Sequence, residues 1–188
     1  MILPVVAFGD PVLRKVAEDI TPDYPQIKEL IANMFDTMDE ADGVGLAAPQ
    51  IGLPIRLFVV DLEIVDEVKY KGFRKAFINA HIVNESEETS LVEEGCLSIP
   101  KIRAQVARPE KIQLRYLDEN FVEHTEWFDD FLARVIQHEY DHIEGILFVD
   151  HLSPFKRNLL KKKLDQISTG NINVSYKMKF PKNISRRL

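Results

Sequence analysis

The sequence predicts an α+β fold in which a mostly antiparallel sheet packs around a central helix that carries an HExxH pattern, with further helices toward the N and C termini. Two observations predict it. Three stretches repeat apolar residues at helical spacing, and short segments rich in β-branched and aromatic residues lie between them. The 188 residues are 45% hydrophobic, enough to build a core, and no repeat or Pro/Ser-rich linker divides them. We therefore expect residues 1–188 to form one domain.

The first helix is predicted over residues 21–39, where apolar side chains recur at i, i+3, i+4 and i+7. Thr21 or Asp23 is expected to cap its N terminus. Glycines and prolines then punctuate residues 43–54, which predicts a loop. Residues 55–61 form an unbroken strand-like run, so we expect a buried strand that begins the sheet.

The rest of the sheet is predicted from composition and turn-like breaks. Strands are expected over residues 73–83, 102–107, 111–117 and 121–127. Residues 62–71 and 85–88 are rich in acidic residues, and we expect a surface insertion and an exposed turn there.

Two more helices are predicted in the C-terminal third. Apolar residues and two histidines recur at helical spacing from Phe131 to Ile143, and Gly145 is well placed to end that helix. The last helix is expected to run from Ser153 or Pro154 to Ile167. Its predicted inward face consists of Phe155, Leu159, Leu160, Leu164 and Ile167. We assign no element to the residues after Ile167.

Charge is distributed unevenly along the chain. Residues 151–188 hold ten Lys or Arg against one acid, whereas the whole chain has a formal net charge of −6. The basic C-terminal helix and tail are interpreted either as a solvated face or as a docking surface for a polyanion. The negative total disfavours a general nucleic-acid coat, so we expect no DNA partner.

The compartment is predicted from the start of the chain and its cysteine count. The first residues lack the long apolar run of a signal peptide, and the single cysteine excludes an internal disulfide framework. No run approaches the roughly 20 apolar residues that a membrane span needs. We expect a cytoplasmic protein without a membrane partner.

A metal site is predicted from the stretch QHEYDH. His138 and His142 lie four residues apart, which on a helix presents both imidazoles on one face, with Glu139 between them. A catalytic site of this type takes three protein ligands, but the usual downstream histidine position holds Phe148 and no glutamate follows Glu144. Cys96, the single cysteine, is the natural third ligand.

Three alternatives stay open at this point. The histidines could be core residues satisfied by hydrogen bonds, or the chain could be an HExxH metalloprotease with an extended cleft. A structural site with four ligands is the third alternative, completed by His151, His124 or His81.

Three motifs, in this order, resemble those of the peptide deformylase family. They are GVGLAAPQ at residues 43–50, EGCLS at residues 94–98 and QHEYDH at residues 137–142. The resemblance extends over most of the chain. It implies a metal-dependent hydrolase that removes the N-formyl group from the N-terminal formylmethionine of nascent polypeptides and releases formate.

The resemblance also implies roles for individual residues. A metal-bound hydroxide would attack the formyl carbon, with Glu139 as general base. The side-chain amide of Gln50 and the backbone N–H of Leu97 would stabilise the developing oxyanion. Gly45 would lie beside the substrate backbone, although a plain turn is the alternative for this glycine. The implied metal ligands are Cys96, His138 and His142.

The substrate pocket and the partners are further expectations. Val44, Phe131 and Val135 are candidates for the methionine pocket, with ordinary core packing as the alternative. The resemblance implies one divalent ion, with Fe(II) physiological, whereas Zn(II), Ni(II) and Co(II) also suit a thiolate and two imidazoles. It also suggests that the basic C-terminal segment docks on the ribosome. We further expect a monomer.

Overall fold

The computed structural model describes residues 1–181, which contain three α-helices and nine β-strands. The helices are α1 (Ile27–Glu40), α2 (Asp130–Ile143) and α3 (Pro154–Ser168). The strands are β1 (Val5–Val6), β2 (Gly45–Ala47), β3 (Leu57–Asp61), β4 (Arg74–Glu85), β5 (Thr89–Cys96), β6 (Ile99–Pro109), β7 (Lys111–Leu117), β8 (Glu123–Asp129) and β9 (Met178–Lys179). Short 3₁₀ turns lie at Pro11–Arg14, Ala48–Ile51 and Phe148–His151. The predicted combination of helices with mostly antiparallel sheet is confirmed.

The strands form a five-stranded antiparallel sheet and two smaller pairs. The large sheet has the order β2-β3-β4-β7-β8. β5 and β6 form a separate antiparallel hairpin, and β1 pairs in parallel with β9 near the C terminus. None of the helices in residues 1–181 is long and apolar enough to cross a membrane.

Both faces of the large sheet are covered, which explains the unbroken apolar run in β3. Leu57 and Val59 pack in the cluster that contains Met34 and Met38 of α1. The alternate residues, Phe58 and Val60, pack in the cluster formed with α2. A third cluster joins β1, β6, the 3₁₀ turn at residues 148–151 and α3. The helix with the HExxH pattern contacts β2, β3, β7 and β8.

The N-terminal cap predicted for α1 is wrong. The helix begins at Ile27, and neither Thr21 nor Asp23 caps it; their side chains hydrogen-bond to each other in a preceding turn. Pro25 disfavours helical backbone at the residue before it, so the helix begins only after this proline.

The predicted loop over residues 43–54 contains regular structure. Gly45–Ala47 forms strand β2 and pairs with β3, and Ala48–Ile51 forms a 3₁₀ turn. Strand β5 was also not predicted, since it belongs to a hairpin whose side chains are largely exposed and follow no apolar alternation. β7 has the predicted bounds, whereas β6 is longer and β8 begins two residues later than expected.

α3 begins at the predicted Pro154 and ends one residue later than predicted, but its inward face differs from the prediction. Phe155 and Leu159 are 72% and 65% exposed, and the buried stripe consists of Leu164 and Ile167, with Leu160 partly buried. At 100° per residue, Phe155 and Leu159 lie more than about 100° from the centre of that stripe. The predicted basic tail continues to residue 188, and residues 182–188 lie outside the described part of the chain.

Candidate metal centre and active-site cleft

Strand β5 and helix α2 bring three potential metal ligands together. Cys96 ends β5, and His138 and His142 lie one turn apart on α2, so their rings share a face with centroids 5.1 Å apart. The Sγ atom of Cys96 lies 3.3 Å from Nε2 of His142. One ligand atom from each of the three residues lies within 4.8 Å of the others. The three side chains that the sequence singled out therefore lie in one cluster.

A buried carboxylate orients the first histidine. Oε2 of Glu94 lies 3.0 Å from Nδ1 of His138, and Arg108 donates two hydrogen bonds to the same carboxylate at 2.7 and 3.0 Å. Burial alone would raise the pKa of Glu94, but the bonds from His138 and Arg108 hold it well below its ordinary value. With Nδ1 occupied as the donor, Nε2 of His138 faces the cluster as the free ligand atom.

The network continues behind the cluster. Arg108 also donates to Oδ2 of Asp141 at 2.7 Å, and Nε2 of His151 lies 2.7 Å from the same oxygen. Arg134 bridges Glu94 to the backbone of β5 and β6. Apart from His151, which was considered as a possible fourth ligand, these residues were given no role in the site by the sequence. They come from β5, β6, α2 and the 3₁₀ turn at residues 148–151, and only the tertiary fold brings them together.

The histidines considered as a fourth ligand lie elsewhere. His151 is engaged by Asp141, His124 by Asp118, and His81 lies nearest Asp19. Within residues 1–181 the ligand cluster holds Cys96, His138 and His142. A site with three protein ligands leaves a coordination position for water or substrate, as catalytic sites do.

The donor set and one buried oxygen atom fit a divalent ion. A thiolate with two imidazoles suits borderline-soft divalent metals. Burial lowers the pKa of His142 well below its ordinary value, which keeps the ring neutral, the form that binds metals. Oε2 of Glu139, which lines the same cleft, is buried without a hydrogen-bond partner among the described residues.

Glu139 lies against a glycine on the opposite wall. The side chain is 3% exposed, and burial raises its pKa to about 7. A Cβ on Gly45 would lie 2.5 Å from Oε1 of Glu139, so the carboxylate occupies the space that a side chain would fill. Gly45 lies in strand β2 rather than in a turn, and the absence of a side chain there leaves room for the carboxylate of Glu139.

Gln50 points its amide into the cluster. Its Oε1 accepts from Ala47 N–H at 2.8 Å, which directs Nε2 toward Sγ of Cys96 at 3.5 Å and Oγ of Ser98 at 3.4 Å. Leu97 follows Cys96 directly, in the turn between β5 and β6. Both predicted oxyanion donors therefore belong to residues beside the cluster.

A cleft of about 980 Å³ opens in front of the ligands. The predicted residues that line it are Val44, Gly45, Gln50, Cys96, Leu97, Phe131, Val135, His138 and Glu139. His142 lies behind them and is 1% exposed. Residues 173–176 also line the cleft, although no element was predicted for them. The signal that could have found them is the apolar alternation from Ile172 to Phe180.

Comparison with known proteins identifies the family. A sequence model described as polypeptide deformylase matches residues 2–158. The chain belongs to the peptide deformylase family. A peptide deformylase from Christiangramia forsetii is 55% identical over 190 aligned positions, which cover 96% of this chain and 97% of the relative.

Solved structures agree. The crystal structure of a peptide deformylase from Legionella pneumophila has a TM-score of 0.81 and 38% identity, covering 91% of this chain and 98% of that one. The peptide deformylase from Thermotoga maritima has a TM-score of 0.75 and 39% identity, covering 82% of this chain and 99% of that one.

The assignment makes this chain an enzyme. Peptide deformylases are metal-dependent hydrolases of protein biosynthesis, and they remove N-formyl groups from nascent peptides. The resemblance drawn from the three motifs is confirmed. The metalloprotease alternative has no support in these comparisons.

Proposed function

We propose that the chain removes the formyl group from N-terminal formylmethionine and releases formate, with a divalent ion held by Cys96, His138 and His142. One observation carries the proposal: a three-residue ligand cluster meets, at one cleft, the buried carboxylate of Glu139, whose Oε2 has no hydrogen-bond partner within residues 1–181. The same proposal includes a single catalytic domain with α2 as its central element. We propose further that the protein is monomeric and cytoplasmic. The contacts of α2 with four strands of the large sheet support that placement.

Each residue has a distinct part in the hydrolysis. The chemistry supplied by a divalent ion here is polarisation of a carbonyl and a fall in the pKa of water toward about 7. Glu139 takes a proton from water and delivers it to the leaving amine, so formamide and water become formate and a free N terminus. The amide of Gln50 and the N–H of Leu97 donate to the formyl oxygen as it gains negative charge.

The selectivity for a formyl group is steric. The formyl carbon carries only hydrogen, so it approaches the reactive centre in a space where Gly45 and Glu139 are already in contact. Val44, Phe131 and Val135 form the methionine pocket in this proposal, and Val135 is 5% exposed beside the cleft.

Enlarging Val135 tests the pocket. We expect Val135→Trp to raise KM for formylmethionyl peptides while metal content stays unchanged, because the indole would fill the space for the substrate side chain. Unchanged steady-state kinetics would show that Val135 is ordinary core packing.

The reaction is tested with two peptides that differ only in the acyl group. We expect metal-loaded protein to release formate from a formylmethionyl tripeptide and to leave the acetylmethionyl tripeptide intact. Formate is measured with a coupled dehydrogenase, and the freed N terminus by mass spectrometry. No formate from fully metallated protein would refute the proposal and favour a structural metal site.

The resemblance supports Fe(II) as the physiological ion, with Zn(II), Ni(II) or Co(II) as alternatives for the same donors. A ferrous site with a thiolate ligand is sensitive to oxygen. We expect protein purified without oxygen to exceed aerobically purified protein in turnover per bound metal. Equal turnover in both preparations, with one zinc per chain, would contradict the assignment of iron.

Ribosome docking through the basic segment is the remaining part of the proposal. Lys161, Lys162 and Lys163 are consecutive exposed lysines of α3, and charges of this kind bind phosphate backbones with strong salt dependence. Charge reversal at these lysines is a cleaner test than truncation, because truncation would also remove residues 173–176 from the cleft. We expect the reversed variant to lose salt-sensitive co-sedimentation with ribosomes and to keep tripeptide turnover. Retained co-sedimentation would exclude this surface.

A further inference from the structure

The chain after α3 forms an extended segment with one inward face. Ile172, Val174, Tyr176, Met178 and Phe180 are partly buried, and every residue between them is exposed. Strand β9 holds the segment in place: the amide N–H of Val5 donates to the carbonyl of Lys177 and that of Ala7 to Lys179, both at 2.9 Å. The segment is therefore fixed to the body of the protein by backbone and apolar contacts.

This segment, which lies after the end of the family match at residue 158, forms part of the wall of the active-site cleft. The hydroxyl of Tyr176 donates to the carbonyl of Leu97 at 2.7 Å. The N–H of Phe8, next to β1, donates to the following carbonyl, that of Ser98, at 2.9 Å. Two successive carbonyls of the turn after Cys96 are thus held from outside, one by the C-terminal segment and one by the N-terminal segment with which it pairs.

Leu97 connects this contact to the chemistry. Its N–H is the proposed donor to the formyl oxygen, and its carbonyl is separated from that N–H by a single Cα atom. Fixing the carbonyl therefore restricts the dihedral angles that aim the N–H. An oxyanion donor contributes only when it is already aimed at the position that the charged oxygen will occupy.

We propose that Tyr176 is a positioning residue for catalysis, which aims the N–H of Leu97 by holding the carbonyl of the same residue. The inference rests on the proposed function. The hydrogen bond from Tyr176 connects residues 172–180, which follow the family match, to the turn that contains Leu97. The ring of Tyr176 packs against the protein and takes no part in the reaction. The effect of removing the hydroxyl should therefore fall on kcat, whereas KM and stability change little.

The test is Tyr176→Phe in the full-length, metal-loaded protein, with Tyr116→Phe as the matched control. Tyr116 is a buried tyrosine of β7 outside the cleft, so the control also removes one buried hydroxyl. Removing an oxyanion donor outright costs about 10² to 10³ in kcat. Because Tyr176→Phe keeps the aromatic ring in place and only loosens the turn, we expect a fall in kcat of about 5- to 10-fold.

Two further readouts separate positioning from structure. KM for the formylmethionyl tripeptide and the thermal midpoint should stay close to those of wild type. Amide hydrogen exchange in the peptide that contains Leu97 and Ser98 should become faster in Tyr176→Phe and stay unchanged in the control.

Failure of the positioning role of Tyr176 and failure of the proposed function give different results. Absence of formate release from wild type would refute the proposed function itself. With an active wild type, an unchanged kcat in Tyr176→Phe, or a rise in KM alone, would overturn the positioning role. A kcat that falls equally in Tyr116→Phe would show a general effect of lost stability and would also overturn it.

Discussion

Replacing Gly45 by alanine would place a methyl carbon 2.5 Å from Oε1 and 2.8 Å from Cδ of Glu139. The strand cannot retreat easily, because Gly45 is paired with Val60 in the large sheet and is itself buried. The carboxylate must therefore move. Ordinary van der Waals contact begins at 3.4 Å, which requires a displacement of about 0.9 Å.

A displacement of this size has a predictable cost. A misplacement of about 1 Å at a reacting group lowers the rate by about 10²-fold, which corresponds to about 2.7 kcal/mol in the activation free energy. The metal ligands are other side chains, so occupancy of the site should be retained. We expect kcat for a formylmethionyl tripeptide to fall about 100-fold in Gly45→Ala, with one metal still bound per chain.

Gly95→Ala provides the control. It adds the same methyl group to the neighbouring hairpin beside Cys96, and its nearest contact would be Cγ of Arg103 at 3.5 Å, an ordinary distance. Formate release and metal content are measured for both variants. A kcat for Gly45→Ala within threefold of wild type would show that Glu139 does not need the position it occupies in this structure.

Two further predictions concern carboxylates that are held by charged or hydrogen-bonding partners. Glu94→Gln removes the anionic partner of Nδ1 of His138, and we expect metal affinity, measured by competition with a chelator, to fall about 10- to 100-fold; unchanged affinity would exclude an orienting role. For Asp150, burial would raise the pKa, but the hydrogen bonds from Arg14 and from the N–H of Leu147, together with the charges of Arg14 and Arg157, outweigh it and hold the pKa below the ordinary 3.8. The stabilisation by ionised Asp150 is therefore present above about pH 4 and is lost as the pH falls through the folded-state pKa. We expect the difference in free energy of unfolding between wild type and Asp150→Asn, measured with urea, to shrink as the pH falls from about 6 to about 3. A difference independent of pH would refute this.

The parts of the fold that the sequence predicted are those with a strong local pattern. α2 and α3 follow from helical periodicity and from the Gly145 stop. The structure adds that Ser153, one of the two predicted starts of α3, caps the helix by accepting from Lys156 N–H. β3 is recognisable because the sheet is covered on both faces, which makes its whole apolar run buried.

Two of the elements were missed for different reasons: β2 has no such local pattern, and the segment around β9 was interpreted from its charge alone. β2 consists of three residues among glycines and prolines. It forms because the backbone of β3, which pairs with β4 on one side, is open to pairing on the other. Residues 172–180, which include β9, carry the alternation of a strand, but the lysines at 177 and 179 were interpreted only as part of a basic tail. Local sequence does not show that residue 176 lies next to residue 97.

The candidate site also contains residues that the sequence predicts and residues that only the fold reveals. Cys96, His138 and His142 follow from residue chemistry and the family motifs, and the structure brings them within 4.8 Å of one another. The carboxylate of Glu94 and its partner Arg108 were not predictable, because each is an ordinary charged residue until the fold buries both.

The central claim is that Glu139 acts as the base at a metal-loaded site, and Glu139→Gln tests it most directly. The substitution keeps the size of the side chain and removes its ability to take a proton. Formate release and bound metal are measured on the same samples of wild type and variant. We predict that the variant binds one metal per chain and loses at least about 10²-fold in formate release, within the range for general acid–base catalysis. A fully metallated variant that releases formate at the wild-type rate would contradict the claim.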